Sequence, residues 1–356
     1  MNNKQPRLLY LLHSGNLYGT ERMALVTLDG LRDAFVPILL APPGPVHGAA
    51  RALGIETHEF GSAWDLFLQM PALLRNTKHI AVCATGVSHS LMFIFWNSWF
   101  RLKNVHLHLV HGGTDERLSY GRKKVLNYFP IVLVAVSGYV KERLLAHGVR
   151  SSQIRVLENF LPDQQIAAAP RRPPFDSDGI RNILVISRVD PIKRIDLLLD
   201  ALDLEPALRN LNIRVLGTGW ELEKLRERAK QDHPNVTFVG FTDQVDKELA
   251  ATDLLLHLCP VEPFGLAILE AMAAHVPVLL PNEGGAAGLV EPGLSGLHFQ
   301  ANDAHDLARQ LTGLQSASAD DLNRLADKGH QRLLSQYSSK ARLNDYRTLF
   351  NKVMAS

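Results

Sequence analysis

The sequence predicts an α/β fold made of two Rossmann-like, doubly wound halves. Three observations carry this reading. Short, continuous apolar runs alternate with amphipathic helical stretches, the pattern of parallel strands covered on both faces. The pattern breaks once, at the Pro-rich stretch 167–180, AAAPRRPPFDSDGI, and then restarts. The length of 356 residues suits about two domains.

In the first half, residues 8–13, 36–41, 55–60, 80–84, 105–110 and 131–137 read as buried strands. A loop and a helix over 21–33 follow the first strand. In the second half the strands are 183–187, 213–216, 236–239, 254–258 and 276–280. Helical stretches at 304–314, 320–337 and 340–354 finish the chain. The expected organisation is a domain over 1–165, a linker over 166–181, a domain over 182–338 and a terminal helix over 339–356. Two halves of this kind leave a cleft between the carboxyl ends of their strands, where open α/β sheets bind ligands. Function is therefore expected in the loops that follow strands.

Composition excludes several classes. Apolar residues make up 46% and charged residues 21%, too apolar for a disordered chain. Cys83 and Cys259 both sit in apolar runs and read as reduced core thiols, too few to start a disulfide scaffold or a thiolate metal site. Lys4 and Arg7 precede an apolar run that His13 stops short of a signal-peptide core. The run 91–100 contains Asn97 and Ser98 and falls short of the roughly 20 apolar residues of a spanning helix. Charge is uneven. Residues 1–172 hold 19 Lys+Arg against 11 Asp+Glu, a net +8, and residues 173–356 hold 19 against 25, a net −6. A basic first half suits an anionic partner or surface as well as ordinary solvated charge.

Four loops carry candidate chemistry. In the first, Ser14 to Glu21, Gly19 lets the backbone approach a ligand at a helix start, while Thr20 reads better as a plain helix cap. It matches neither the dinucleotide GxGxxG nor the GxxxxGK[ST] phosphate loop. In the second, strand 183–187 runs into Arg188, Pro191, Lys193 and Arg194. Arg188 can grip phosphate oxygens with its planar fork, and Lys193 can supply a point charge. In the third, Glu262 lies on a Pro/Gly loop and Glu270 inside an otherwise apolar helix, with seven residues between them. A carboxylate so placed is costly unless it faces a cleft and accepts hydrogen bonds. The backbone N–H groups of Phe264, Gly265 and Leu266 open that helix, and donors beside carboxylates suit a polyhydroxylated ligand. In the fourth, Gly284 to Gly288 forms a glycine-rich loop or a flexible turn.

Histidines and aromatics complete the list. Strand alternation sets His106 and His108 on one face and His111 on the other, against a shared metal. His111 ends its strand before Gly112-Gly113 and is placed at the cleft. Asp176-Ser177-Asp178 resembles an Asp-x-Asp metal motif but falls in the linker with no strand before it. Residues 91–103 are unusually aromatic. They read as a core helix or, with Arg101, Lys103, Arg117, Arg122, Lys123 and Lys124, as a contact with an anionic membrane over 91–124.

Taken together these residues resemble the retaining family 4 glycosyltransferases of the GT-B fold. EPFGLAILEAMAAHVPVL, from Glu262 through Glu270, is similar to the family's E-x7-E signature with its helix and following strand. ISRVDPIKRIDLLLDAL is similar to its strand–Arg–Lys segment, GTERMAL to its first glycine loop, and VSGYVKERLLAHGV to its crossover region. The resemblance covers nearly the whole chain. It implies that Gly19 and Thr20 lie by the donor diphosphate, that Arg188 and Lys193 neutralise it, and that Glu270 holds the nucleotide ribose. It also implies that Glu262 with the N–H groups of Phe264, Gly265 and Leu266 addresses the donor sugar, and that His111 lies near the reacting sugar. This sequence departs from the family at three places: one glycine in the first loop, Ser187 before the arginine, and Gly288 where many members carry a glutamate.

The expectation is a metal-independent, retaining glycosyltransferase that moves a sugar from a nucleoside diphosphate sugar to a glycan or lipid-linked acceptor, with no cofactor and no nucleic-acid partner. Its place is the cytoplasm, at the inner membrane face. The final helix is expected to cross back onto the first domain. Two alternatives stay open: a nucleotide-sugar epimerase or inverting transferase on the same fold, and a non-catalytic sugar-nucleotide-binding protein. Anomeric analysis of product separates the first, and donor binding without turnover marks the second.

Overall fold

The computed structural model describes residues 5–75, 80–102, 104–113 and 116–355. It divides into two compact units, residues 1–160 with 339–356, and residues 161–338.

The first unit is built on strands β1 (Arg7–Leu11), β2 (Val36–Ala41), β3 (Glu56–Glu59), β4 (Ile80–Ala84), β5 (Val105–Val110), β6 (Val132–Ala135) and β7 (Ile154–Val156). They form one parallel sheet in the order β3-β2-β1-β4-β5-β6-β7. Alternation along β1 explains why its run is apolar throughout. Leu8, Tyr10 and Leu12 join Met23 and Leu28 of helix Gly19–Gly30 on one face, while Leu9 and Leu11 join Leu66 and Met70 of helix Ala63–Arg75 on the other.

The terminal helix Ser339–Ala355 belongs to this unit. Its Tyr346 and Phe350 are buried against Phe160 and Phe35, with ring centroids 5.5 and 5.7 Å apart. Arg347 pairs with Asp33 at 2.6 Å, and Arg342 pairs with Glu158.

The second unit carries β8 (Asn182–Ile186), β9 (Asn212–Leu216), β10 (Val236–Gly240), β11 (Leu254–Leu256), β12 (Val278–Pro281) and β13 (Leu297–Phe299). These make a second parallel sheet in the order β10-β9-β8-β11-β12-β13. Strand β13 is absent from the sequence reading. Three residues, Leu-His-Phe, are too few to show a period, and only pairing with β12 makes them a strand.

The Pro-rich stretch is packed into this unit, although its composition reads as a linker. Phe175 and Ile180 enter the core, the Arg172 guanidinium lies 3.3 Å from the Phe175 ring centroid, and Arg172 pairs with buried-side Asp253 at 2.8 Å. Asp178 accepts a hydrogen bond from the Ala319 N–H at 2.9 Å, so this part of the Asp-x-Asp sequence caps a helix start. Two apolar side chains and one paired arginine outweigh the lack of periodicity.

Candidate functional site

In each sheet the chain order reverses once. The reversal lies between β1 and β4 in the first unit and between β8 and β11 in the second. Loops leaving the two strands at such a point diverge, which opens a crevice beyond their carboxyl ends. The loops bearing Gly19, Arg188, Lys193 and Glu262 leave strands at these two places, while His111 follows β5 and Gly284 to Gly288 follow β12.

In the second unit, β8 runs into Arg188, a single turn Pro191–Lys193, and helix Ile195–Leu204. The parallel register of β8 with β11 (Ile183 opposite Leu254) carries this loop beside the loop that follows β11. There the Lys193 ammonium donates to Glu262 Oε2 at 2.5 Å. Burial alone would raise the Glu262 carboxyl, but Lys193, then His257 and Arg188, hold it below the usual carboxylate range. Burial likewise opposes charge on Lys193, and the attraction of Glu262 overcomes it, so the ammonium sits above its ordinary value. Arg188 is exposed and pairs with buried Asp190 at 2.8 Å, and Asp190 also accepts from the Trp220 N–H at 3.2 Å.

The Glu262 loop is held from behind. Its carbonyl accepts hydrogen bonds from the N–H groups of Gly285 at 2.7 Å and Ala286 at 3.3 Å. Gly284 makes this possible at φ +86°, where an added Cβ would stand 2.7 Å from the Pro260 carbonyl oxygen. Phe264 is buried edge-on to Tyr337, which anchors the loop, and Gly265 turns at φ +101° into helix Leu266–Ala273. The first N–H groups of that helix therefore leave the loop directly after Glu262. Glu270 lies on the same helix between buried Leu269 and Ala271. Gly288 has open space where a Cβ would point, so the missing glutamate leaves room at that position.

In the first unit, Gly19 begins helix Gly19–Gly30. The cap reading for Thr20 is corrected. The cap position is Tyr18, whose N–H donates to the Glu21 carboxylate at 3.0 Å, while Thr20 lines a cavity of about 580 Å³. His111 lines the same cavity. Burial, then neighbouring His13, lowers its imidazole to about 4, so the ring is neutral near pH 7. His13 and Thr85, at the ends of β1 and β4, meet through a 2.7 Å hydrogen bond on the same wall.

His106 and His108 are structural. Both bond Ser90 Oγ, at 2.9 and 2.8 Å, and burial keeps both rings neutral. Among the described residues no three His, Cys, Asp or Glu side chains gather as a metal site. Burial pushes the Cys259 thiol up to about 11 and raises the Cys83 thiol well above its ordinary value, which makes both poor nucleophiles.

Several site neighbours escaped the sequence reading. His257 lies 3.8 Å from Glu262 Oε2, buried and lowered to about 4 mainly by that burial. Asp190 fixes Arg188. Gly217 and Gly219 bring a loop against the Arg188 segment so closely that a Cβ on Gly217 would meet the Ser187 carbonyl oxygen at 1.9 Å. A Gly-Thr-Gly directly after an apolar run is a readable signal for this last feature. Lys123, counted above with a membrane-facing basic group, is buried and lines the cavity instead. Lys103 lies outside the described residues.

The helices Ala63–Arg75 and Val87–Trp99 share an aromatic ladder. Trp64 stacks on Phe67, Phe67 packs on Phe95 and Trp96, and Phe95 stacks on Trp99. Its outer rings are open to solvent, with Trp64 and Trp99 each 68% exposed, so only part of the second helix is core. Among the described residues no helix is long and apolar enough to cross a membrane.

Comparison with known proteins agrees with this geometry. The family described as "Glycosyl transferases group 1" matches residues 171–332, which hold the Arg188, Lys193, Glu262 and Glu270 segments. The chain is 28% identical over 346 residues to the lipopolysaccharide core biosynthesis glycosyltransferase LpsE of Rhizobium meliloti, covering 94% of this chain and 96% of that one. It is 31% identical over 267 residues to a GDP-mannose-dependent α-(1-6)-phosphatidylinositol monomannoside mannosyltransferase of Mycobacterium tuberculosis, 68% of this chain and 62% of the relative. Among solved structures, Anabaena HepE in complex with UDP and glucose superposes with a TM-score of 0.80 at 18% identity, over 98% of this chain and all of that one. A glycosyltransferase from Rickettsia africae gives 0.81 at 17% identity, over 98% and 99% of the two chains. The group 1 domain, the end-to-end relative and the shared architecture make this chain a glycosyltransferase of the GT-B type.

Proposed function

We propose that the chain is a retaining, metal-independent family 4 glycosyltransferase. It moves a sugar from a nucleoside diphosphate sugar to a hydroxyl of a glycan or lipid-linked acceptor. The observation that carries this is the Lys193–Glu262 pair with Arg188 in its field, in the loops leaving β8 and β11 at the switch point of the second sheet. Breaking a glycosyl–phosphate bond puts negative charge on the departing diphosphate and positive charge on the sugar. Lys193 and Arg188 stabilise the first, each by about 3 kcal/mol. Glu262 and the N–H groups of Phe264, Gly265 and Leu266 hold the donor sugar, and Glu270 takes the ribose hydroxyls. By resemblance Gly19 and Thr20 serve the diphosphate. His111, a neutral imidazole, hydrogen-bonds near the reacting sugar. With two cations supplied by side chains, charge neutralisation does not call for a divalent ion. The acceptor hydroxyl attacks from the side of the leaving group, which retains anomeric configuration.

The relative named for lipopolysaccharide core biosynthesis supports a glycan acceptor made at a membrane, and the neighbour holding UDP and glucose supports a nucleotide-sugar donor. The solvent-facing ladder of Trp64, Leu68, Phe95 and Trp99, in the basic half of the chain, supports docking on anionic lipid at the inner membrane face.

The test is a thermal-shift panel of UDP-, GDP- and ADP-sugars. A donor present at 100 times its Kd adds about 2.7 kcal/mol of stability. Turnover with that donor is then followed by NMR of the product anomer, with and without EDTA. Absence of any shift removes the donor reading. An inverted product removes retention. Activity lost to EDTA and restored by a divalent ion removes metal independence.

A further inference from the structure

The cavity in the first unit has a charge balance that the proposed chemistry leaves unexplained. Its floor is the carboxyl ends of β1, β4 and β5, which supply His13, Thr85 and His111. The 3₁₀ helix Gly121–Tyr128 adds Arg122 and Lys123 from the side. Lys123 is buried, and its ammonium donates to the Leu118 carbonyl at 3.3 Å. One carbonyl is a poor substitute for the water that a buried ammonium gives up. Among the described residues no Asp or Glu lines the cavity, and no carboxylate pairs with Lys123 or Arg122. Glu21, whose charge reaches His13, is engaged with the Tyr18 N–H. Burial, then the neighbouring Arg122, lowers Lys123 to about 8, as expected for a cation that lacks its anion. His111 Nε2 is buried with no hydrogen-bond partner and belongs to the cavity wall.

We propose that this cavity binds a phosphate monoester carried by the acceptor sugar, with Lys123 and Arg122 as its cationic contacts and His111 as a neutral hydrogen-bonding contact. The inference rests on the glycosyltransferase reading and deepens it by naming the acceptor's chemical class. A dianion balances the two cations. The hydroxyls of Thr85 and Ser119 suit the sugar that carries it, and about 580 Å³ is room for a phosphorylated monosaccharide rather than for the anion alone. Donation by Lys123 and Arg122 to the phosphate oxygens is charge-assisted, so affinity depends on the phosphate and falls with salt.

The test is calorimetric titration of the full chain with glucose 1-phosphate, glucose 6-phosphate, mannose 6-phosphate, the parent hexoses, inorganic phosphate, UDP, GDP and ADP. We expect at least one hexose phosphate to bind tenfold or more tightly than both its hexose and inorganic phosphate. Lys123→Met should remove that preference, Lys123→Arg should restore most of it, and UDP affinity should stay within twofold in both. The Lys123→Met protein, freed of an uncompensated charge, should melt no lower than the wild type. Equal binding of hexoses and hexose phosphates overturns the proposal, as does an unchanged preference in Lys123→Met. Inorganic phosphate binding as tightly as the sugar phosphates assigns the cavity to a free ion. A parallel loss of UDP affinity assigns it to the donor diphosphate, and either result overturns the acceptor assignment. Failure of UDP, GDP and ADP alike to bind the wild type counts instead against the glycosyltransferase reading.

Discussion

Lys193 and Glu262, 69 positions apart in the chain, meet at 2.5 Å with side chains only 16% and 18% exposed. The pair joins the loop after β8 to the loop after β11 and neutralises both charges inside the protein. Under the proposed function, a diphosphate that recruits Lys193 would compete with Glu262, a sugar that engages Glu262 would free Lys193 to turn, and one hydrogen bond would couple the two roles.

Removing one partner should therefore cost stability as well as rate. Lys193→Ala leaves a buried carboxylate unpaired, which lowers unfolding free energy by about 3–5 kcal/mol. Turnover should drop roughly 100-fold if the ammonium stabilises the leaving group. Pairing Lys193→Met with Glu262→Gln should recover most of the stability and none of the rate. Urea unfolding and steady-state kinetics measure both. A folded Lys193→Ala protein with wild-type turnover takes Lys193 out of the chemistry.

The pair also sets a pH window. Glu262 is held low, so its contribution is complete above the unfolded carboxyl value of about 4.3 and fades as pH falls through its lower folded value. Lys193 is held high, so its contribution is complete below about 10.4 and fades as pH rises through its higher folded value. Stability curves of wild type and Glu262→Gln should run parallel between these limits and converge in acid. Curves that stay parallel down to pH 2 would show that the pair adds no pH-linked stability.

Buried neutral histidines act in the same sense as Glu262, but at milder acid pH. His111 and His257, both near 4, must gain protons on unfolding once pH falls below about 6.5. Stability should decline from pH 6.5 toward 4, before Glu262 titrates. His257→Asn should flatten that slope, as read from urea midpoints at half-unit steps. An unchanged slope would mean that His257 is already protonated in the native protein.

Gly284 supports the Glu262 loop through its backbone. Gly284→Ala places a Cβ 2.7 Å from the Pro260 carbonyl oxygen at a φ of +86°. We expect a stability loss of about 1–3 kcal/mol. Donor affinity should weaken as well, because the Gly285 N–H that bonds the Glu262 carbonyl shifts. Unfolding and titration with the donor identified by the panel check both. Unaltered donor affinity would separate the glycine loop from the site.

The aromatic ladder predicts lipid binding. Wild type should float with phosphatidylglycerol-containing vesicles at low salt and lose binding as screening rises. Replacing exposed Trp64 and Trp99 with serine should cut binding at least tenfold, with thermal stability changed by under about 1 kcal/mol. No flotation of the wild type at low salt ends the membrane assignment.

Local patterning alone makes the two parallel sheets and the order of their loops legible. Strand β4, and β1 after Arg7, are apolar at every position because helices cover both faces, and that signal is local. The segments bearing Arg188, Lys193, Glu262 and Glu270 were legible for the same reason, since each directly follows a readable strand or opens a readable helix. Partnerships were not legible. Whether Lys193 faces solvent or Glu262 depends on β8 pairing with β11, a long-range choice that no window of residues contains. Lys123 and Lys124 are identical neighbours in composition, yet the first is buried in the cavity wall and the second is exposed. The 3₁₀ helix that holds them, Gly121–Tyr128, is not marked by the apolar pattern of its residues. Likewise, Pro-rich 167–180 became part of the second core through Phe175, Ile180 and the Arg172–Asp253 pair. Local patterning determines elements because backbone geometry repeats. Tertiary structure decides which charges meet, because burial and pairing energies depend on neighbours that are distant in the chain.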